Sequence, residues 1–100
     1  MAKYQIIYWR DMPAQVKVRI GRKKLSRPLV PRFMVAIDAV AMQEGTTDTD
    51  SYLEEWRSGD WQERDGDSLE AIADELVTEV EAAYPAKKIS QLAKQGGKEA

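Results

Sequence analysis

The sequence predicts an α+β domain, with a small antiparallel sheet of three to four strands and two main helices packed on one face. Residues 3–20 are rich in β-branched and aromatic side chains, and part of this segment alternates strictly between apolar and polar residues. Two longer segments with apolar residues at helical spacing follow later in the chain. Strands grouped ahead of helices are typical of the α+β class.

The first two strands are predicted from residue type and from period. The stretch AKYQIIYWRD contains strand-forming Tyr, Ile and Trp, and Pro13 breaks the run. In the next stretch, AQVKVRIG, Val16, Val18 and Ile20 alternate with polar or basic residues, which predicts a half-buried strand with basic side chains facing outward. Because the break between them is short, the two strands are expected to form an antiparallel hairpin.

Two long helices are predicted downstream of a basic loop that ends at Pro28. The first, PRFMVAIDAVAMQE, begins at Pro31 and ends at Gly45. The second, DSLEAIADELVTEVEAAY, begins with a capping box formed by Asp67 and Glu70. Both carry an apolar stripe that would pack on the Val16, Val18 and Ile20 side of the sheet.

A single domain is therefore expected over residues 3–85. Residues 86–100 are expected to form a short basic C-terminal helix or tail that is partly disordered and ends in GGKEA.

The segment TDTDSYLEEWRSGDWQERDGD allows two structures. A capping box starting at Ser51 would begin a short helix that includes Trp56. A hairpin turning at residues 58–59 would instead place Trp56 opposite Trp61. Leucine and glutamate favour helices, so we prefer the helix, with residues 61–64 as a third strand.

Charge is divided strongly along the chain although the net charge is only −2. Residues 17–32 carry seven basic side chains and no acidic one, whereas residues 33–85 carry fifteen acidic and two basic side chains. Such a block of one sign predicts an exposed basic surface on an otherwise acidic molecule.

Three roles are open for this basic surface. It could dock an acidic protein partner, which is the role we prefer, or an anionic small ligand. It could instead bind nucleic acid, with Trp9 stacking on a base. It could also be neutralised by the acidic helix of the same chain. The candidate binding residues are Lys17, Arg19, Arg22, Lys23, Lys24, Arg27, Trp9 and Arg10.

The composition gives little support to catalysis. The chain has no cysteine and no histidine, so thiolate chemistry and histidine acid–base chemistry are excluded. Glu54 and Glu55, near two tryptophans, are the best acid–base candidates, but a capping role for Glu54 and solvation of Glu55 explain them better. No calcium-loop or phosphate-loop pattern is complete, so no cofactor and no metal site is predicted.

No apolar run approaches the roughly 20 residues of a membrane helix, and no signal peptide is recognisable. We therefore expect a cytoplasmic, non-enzymatic protein with no membrane contact.

Three segments together resemble the small bacterial domain family known as virulence factor: YWRDMPAQVKVRIGRKK, RFMVAIDAVAM and YLEEWRSGDW. A similar module occurs in conserved virulence factor C proteins, beside a NifU-like domain and helical repeats. The resemblance implies an interaction or regulatory role and supplies no catalytic residues. It also suggests, as a further alternative, an accessory subunit of a one-carbon or corrinoid methyl-transfer system.

Overall fold

A computed structural model describes residues 2–45 and 53–98 as one antiparallel sheet with helices on one of its faces. The strands are β1 (Ala2–Trp9), β2 (Met12–Ile20), β3 (Lys23–Pro28), β4 (Trp56–Ser58) and β5 (Gln62–Arg64). The helices are α1 (Pro31–Glu44), α2 (Leu69–Ala83) and α3 (Ala86–Lys94). The order is β3-β2-β1, and both β4 and β5 pair with the other edge of β1. The α+β class is confirmed, with five strands in the described residues.

The third strand, β3, replaces most of the predicted basic loop, so the loop prediction is wrong there. Every residue from Lys23 to Pro28 pairs with β2. Gly21 has a φ of 58°, which lets the chain turn tightly between the two strands. Pairing with the ready edge of β2 therefore outweighs the weak strand preference of lysine and proline.

The register divides the sheet into two faces, because residues directly opposite each other in an antiparallel pair lie on the same face. On one face Val18 stands opposite Tyr4 of β1 and Leu25 of β3. This covered face packs against the helices. On the other, open face Lys17 stands opposite Ser26. The basic side chains of β2 therefore point away from the helices, as the alternating pattern predicted.

The core lies between the covered face and the helices. Its fully buried large side chains include Trp9, Phe33, Met12, Ile37, Val16, Val18 and Val40. Helix α2 contributes Ile72, Ala73, Leu76 and Val80, and α3 contributes Ile89 and Leu92. The core explains why the apolar stripes of both long helices face the same sheet.

The helix ends agree with the sequence at three of four positions. Pro31 lies in the first turn of α1 and Gly45 caps its end with a φ of 68°. Helix α2 ends at Ala83, ahead of Pro85. The predicted capping box at Asp67 is wrong, because Ser68 is the N-cap and its side chain accepts the N–H of Ala71.

The ambiguous segment adopts neither predicted structure in full. The capping box at Ser51 lies outside the described residues, and residues 53–54 are helical. Trp56, however, begins strand β4, so the preferred helix through Trp56 is wrong. The hairpin is also wrong, since β4 and β5 each pair with β1 and not with each other. The strand predicted at residues 61–64 is confirmed as β5.

Residues 96–97 pack tightly against the domain. Gly97 is buried, its N–H donates to the carbonyl of Leu92 (2.7 Å), and its carbonyl accepts the N–H of Asp11 (2.8 Å).

In the ranges 2–45 and 53–98, none of the helices has the length and the apolar composition that a membrane span requires.

Candidate interaction surface on the open face of the sheet

A row of basic side chains crosses the open face from strand to strand. Lys24 of β3 stands directly opposite Arg19 of β2, and Arg19 stands opposite Lys3 of β1. Neighbouring strands are about 4.8 Å apart, so the three cations are held at short, regular intervals. The row ends at Glu63 of β5, which stands opposite Lys3.

Arg19, at the centre of this row, lies over an aromatic ring. Its guanidinium carbon is 4.7 Å from the ring centroid of Trp61, and Trp61 is 40% exposed. A guanidinium stacked on indole keeps its N–H edges available while its plane is fixed. The ring therefore orients the central cation of the row.

Lys17 extends the basic surface toward the next row of the sheet. It stands between Gln5 of β1 and Ser26 of β3. The Gln5 side-chain amide donates to the carbonyl of Gly59 (2.9 Å), which ties the segment after β4 to this face. We define the basic face as Lys3, Lys17, Arg19 and Lys24.

The basic face forms no ion pair with the acidic residues that the structure describes, although Glu63 stands opposite Lys3. None of its four cations lies within 4.0 Å of a described carboxylate, and the same holds for Arg22 at the adjoining turn and Lys23 at the start of β3. Arg22 and Lys23 are exposed. Self-neutralisation by the protein's own helix, one of the three sequence-based alternatives, therefore does not describe these side chains.

Arg27 belongs to the other side of the sheet. It stands opposite Val16 on the covered face, and its guanidinium pairs with Asp74 of α2. Here the basic block is neutralised by the acidic helix, as that alternative expected. Arg27 is thus separated from the basic face although it is close to Lys24 in sequence.

Trp9 and Arg10 also lie away from the basic face. Trp9 is fully buried in the core, so its ring is not available to stack on a base. The Arg10 side chain is 9% exposed and forms two hydrogen bonds to Glu44 (2.5 and 2.6 Å) and one to the carbonyl of Gly96 (2.6 Å). Its backbone has a φ of 56°, an uncommon value for a residue with a side chain.

Of the eight residues predicted to bind, three lie on the open face and Arg22 lies at its adjoining turn. Lys23 begins β3 opposite Ile20, on the covered side of the sheet, and the remaining three lie elsewhere in the fold. Sequence reasoning missed Lys3 and Trp61, which reach this surface only through the register of β1 and the return of the chain at β5. The sequence does place Lys3 and Gln5 two residues apart in β1, and this spacing puts both on one face.

The family model described as virulence factor matches residues 7–93. The chain belongs to the virulence factor family. The match begins at Ile7, near the end of β1, and runs into α3, so it includes β2, β3 and only the last part of β1. Neither the curated proteins nor the solved structures include a match to this chain.

In this member of the virulence factor family, Arg10 joins three distant parts of the chain. Its hydrogen bonds with Glu44 lower the pKa of that carboxyl and raise the pKa of the guanidinium. A second carboxylate, Glu55, lies 3.5 Å from Arg10 Nε. The backbone N–H of Arg10 also donates to the carbonyl of Glu55 (3.0 Å). Arg10 therefore holds the end of α1, the segment before β4 and the C-terminal glycines together.

Glu54 and Glu55 line a small cleft of about 370 Å³ whose described lining is polar and charged. Arg10, Arg57 and Lys98 share that lining, and no tryptophan is among the described lining residues. Glu55 is engaged by Arg10. The arrangement is therefore an ion-pair cluster that organises the chain.

The acidic charge of the described residues is concentrated on the helical side. Helix α2 carries five acidic residues and no basic one. Arg64 of β5 pairs with Glu75 and Glu79, and its hydrogen bonds lower the pKa of Glu79. The molecule therefore has a basic open face and an acidic surface on α2. No group of three or more potential metal ligands occurs within residues 2–45 and 53–98.

Proposed function

We propose that this protein is a non-catalytic cytoplasmic interaction protein that docks an acidic region of a partner protein on its basic face. One observation carries the proposal. Lys24, Arg19 and Lys3 are directly opposed like charges, and no described carboxylate forms an ion pair with them.

Such a row is unfavourable for the free protein. Like charges directly opposite on neighbouring strands destabilise a sheet by roughly 0.2–1 kcal/mol for each pair. A partner that places carboxylates over Lys24, Arg19 and Lys3 removes this repulsion on binding. Complementary charge also raises the rate of encounter and rejects basic partners.

The spacing of the row suits an acidic helix or strand on the partner. Neighbouring strands are about 4.7–4.9 Å apart, and carboxylates one turn apart on a helix are about 5–6 Å apart. An acidic helix that crosses the strands could therefore contact Lys24, Arg19 and Lys3 with successive turns. Arg19, fixed on Trp61, is suited to a bidentate contact with one carboxylate.

The charge distribution favours a protein over nucleic acid as the partner. A pI of about 5.2 and the five acidic residues of α2 oppose a long polyanion, whereas a compact acidic patch can meet the basic face alone. Trp9 is buried and Trp61 already carries Arg19 on its ring, so the expected base-stacking platform finds no support.

Site-specific photo-cross-linking tests the proposal. A cross-linking amino acid at exposed Ser26, on the open face, is compared with one at exposed Thr78, on α2, in a nuclease-treated lysate of the source organism. We expect Ser26 alone to capture a stoichiometric partner, through peptides rich in Asp and Glu. The double variant K17Q/K24Q should lose this capture, and the matched control K87Q/K94Q should keep it.

Capture that is equal from both positions, or that is unchanged in K17Q/K24Q, would contradict the proposal. Fluorescence anisotropy with labelled single- and double-stranded DNA and RNA tests the competing proposal that the basic face binds nucleic acid. Binding to those probes that weakens steeply with salt and is lost in K17Q/K24Q would make the basic face a nucleic-acid surface instead.

A further inference from the structure

Strand β3 offers a free edge beside the basic face. Among the described residues it pairs only with β2 and is the last strand of the sheet on that side. An antiparallel partner on one side uses only about half of the backbone N–H and C=O groups of a strand, and the others point away from the sheet. The outer edge of β3 can therefore receive another extended chain.

A cleft of about 580 Å³ opens beside the start of this edge. Its apolar lining consists of Ile20, Leu25 and Leu69, which are partly buried against the core. The turn between β2 and β3 forms one wall, and the start of α2 forms the other. The volume lies in the range of sites that enclose small molecules, and it exceeds what a few apolar side chains require.

The two walls of the cleft have opposite charge. Arg22, Lys23 and Lys24 line the side of the β2–β3 turn, and Asp67 and Glu70 line the side of α2. No ion pair joins the two walls within 4.0 Å. The acidic wall disfavours carboxylates inside the cleft, so carboxylates are confined to the open face, above Lys24.

Basic residues on an edge strand normally prevent unwanted pairing, and Pro28 ends the strand in the same protective way. Their effect is selective, however. Lys24, with Lys23 beside it at the start of the strand, repels a second copy of β3 and gives nothing to a neutral strand, but attracts an acidic one; Arg27 does not contribute, because it is paired with Asp74. The edge therefore discriminates by charge.

We infer that β3 accepts an extended segment of the acidic partner as an added strand, with acidic side chains on the open face and apolar side chains over the cleft. This inference rests on the proposed function and concerns the part of the partner next to Lys24, at the edge of the sheet; the contacts with Arg19 and Lys3 come from the rest of the acidic region. Main-chain hydrogen bonds to β3 would supply affinity, and the alternating side chains would supply specificity. The segment is expected to alternate acidic and apolar residues over about six positions, the length of β3.

The test uses a synthetic acetylated octapeptide of alternating Glu and Val, titrated into the ¹⁵N-labelled protein. A peptide of the same composition, with four Glu followed by four Val, is the sequence control. Two further versions of the alternating peptide carry backbone N-methyl groups, one on the odd-numbered and one on the even-numbered residues. In an added strand, only one of these two sets of N–H groups points toward β3, so only one version should lose hydrogen bonds. We expect chemical-shift changes and slower amide exchange at residues 23–27, with about tenfold or greater loss of affinity in one methylated version only.

Neutralising the lysines provides a second readout. K23Q/K24Q should weaken binding of the alternating peptide several-fold, whereas K87Q/K94Q should not. Equal binding of the block peptide, or equal effects of both methylation patterns, would overturn the added strand. So would shift changes confined to Lys3, Lys17 and Arg19, or no binding at all. The cross-linking from Ser26 judges the proposed function separately, because it requires an acidic partner on the open face in any backbone conformation.

Discussion

Replacing Arg10 with methionine is expected to lower the free energy of unfolding by about 2–3 kcal/mol and to release the C-terminal glycines. The substitution keeps an unbranched side chain of similar reach against Trp9 but removes the guanidinium. The Arg10 guanidinium carbon lies 4.6 Å from the Trp9 ring centroid and its nitrogens bond to Glu44 and Gly96. The hydrogen bonds disappear together, and the contact with Trp9 is only partly retained.

The size of this loss depends on whether each group that contacts Arg10 can be hydrated once the guanidinium is removed. The Arg10 side chain is 9% exposed, whereas Glu44 is 37% exposed and can rehydrate, so that ion pair contributes about 0–1 kcal/mol. The carbonyl of Gly96 is partly buried, and its hydrogen bond to a charged donor contributes about 1.5–3 kcal/mol. The cation–π contact with Trp9 adds about 0.5–1 kcal/mol, part of which methionine retains.

Urea denaturation of R10M measures the loss, and amide hydrogen exchange locates it. A loss of this size lowers the melting temperature by about 10–20 °C in a domain of this length. The N–H groups of Asp11 and Gly97, which donate to Gly97 and Leu92, should exchange much faster in the variant.

Arg57→Met is the matched control, because Arg57 lies in the same cluster but is 52% exposed. It donates to the carbonyl of Arg10 and to Asp11, and its loss should cost under about 1 kcal/mol. If R10M loses no more stability than R57M, or if Gly97 stays protected in R10M, then Arg10 does not hold the C-terminal segment.

Three further predictions concern stability. Gly97→Ala should lower the free energy of unfolding by about 2 kcal/mol in thermal unfolding, because the φ of Gly97 is 80° and a Cβ there would lie 3.0 Å from Met12. Gly21→Ala should cost only about 1 kcal/mol, because Gly21 has a φ of 58° but open space around it. The pKa of Glu44 is lowered in the folded state. Its ion pair therefore stabilises the fold at pH values above the ordinary glutamate pKa, and this stabilisation is lost as the pH falls through the folded-state pKa. E44Q should lose less stability than the wild type between about pH 6 and about pH 3 in urea titrations. Lys24→Gln should raise the free energy of unfolding by about 0.2–1 kcal/mol at low salt while weakening partner capture, and a loss of stability would show that the basic row is not repulsive.

Periodicity alone was enough to predict the elements whose side chains alternate between core and solvent. Strand β2 and both long helices carry that alternation in sequence, because a core on one side imposes a period of two or 3.6 on the chain. The side of β2 on which the helices pack followed from Val16 and Val18. These features are local consequences of a single packed layer of helices.

The elements that sequence reasoning missed form because another strand offers an edge. Strand β3 is rich in charged residues and forms because the adjoining β2 offers an edge across the tight turn at Gly21. Trp56 enters a strand because β1, far away in sequence, has a second edge to pair. Strand preference judged residue by residue shows neither cause.

The candidate surface divided in the same way between local and distant causes. Lys17 and Arg19 could be placed by alternation, whereas Lys3 joined them only through the register of β1. No local pattern in the sequence indicates the role of Arg10. Its positive φ is uncommon for an arginine, and the contacts that stabilise it, with Glu44 and Gly96, join segments far apart in the chain.

The central position of β1 has a consequence for folding. Its pairing with β2 joins residues close in sequence, but its pairing with β5 joins Ala2 to Arg64, and closing so long a loop is slow. The meander of β1, β2 and β3 can therefore form first. The outer edge of β1 then stays open until β4 pairs with its end and β5 pairs with its start. During synthesis and refolding this edge is the part of the chain most exposed to pairing with other molecules.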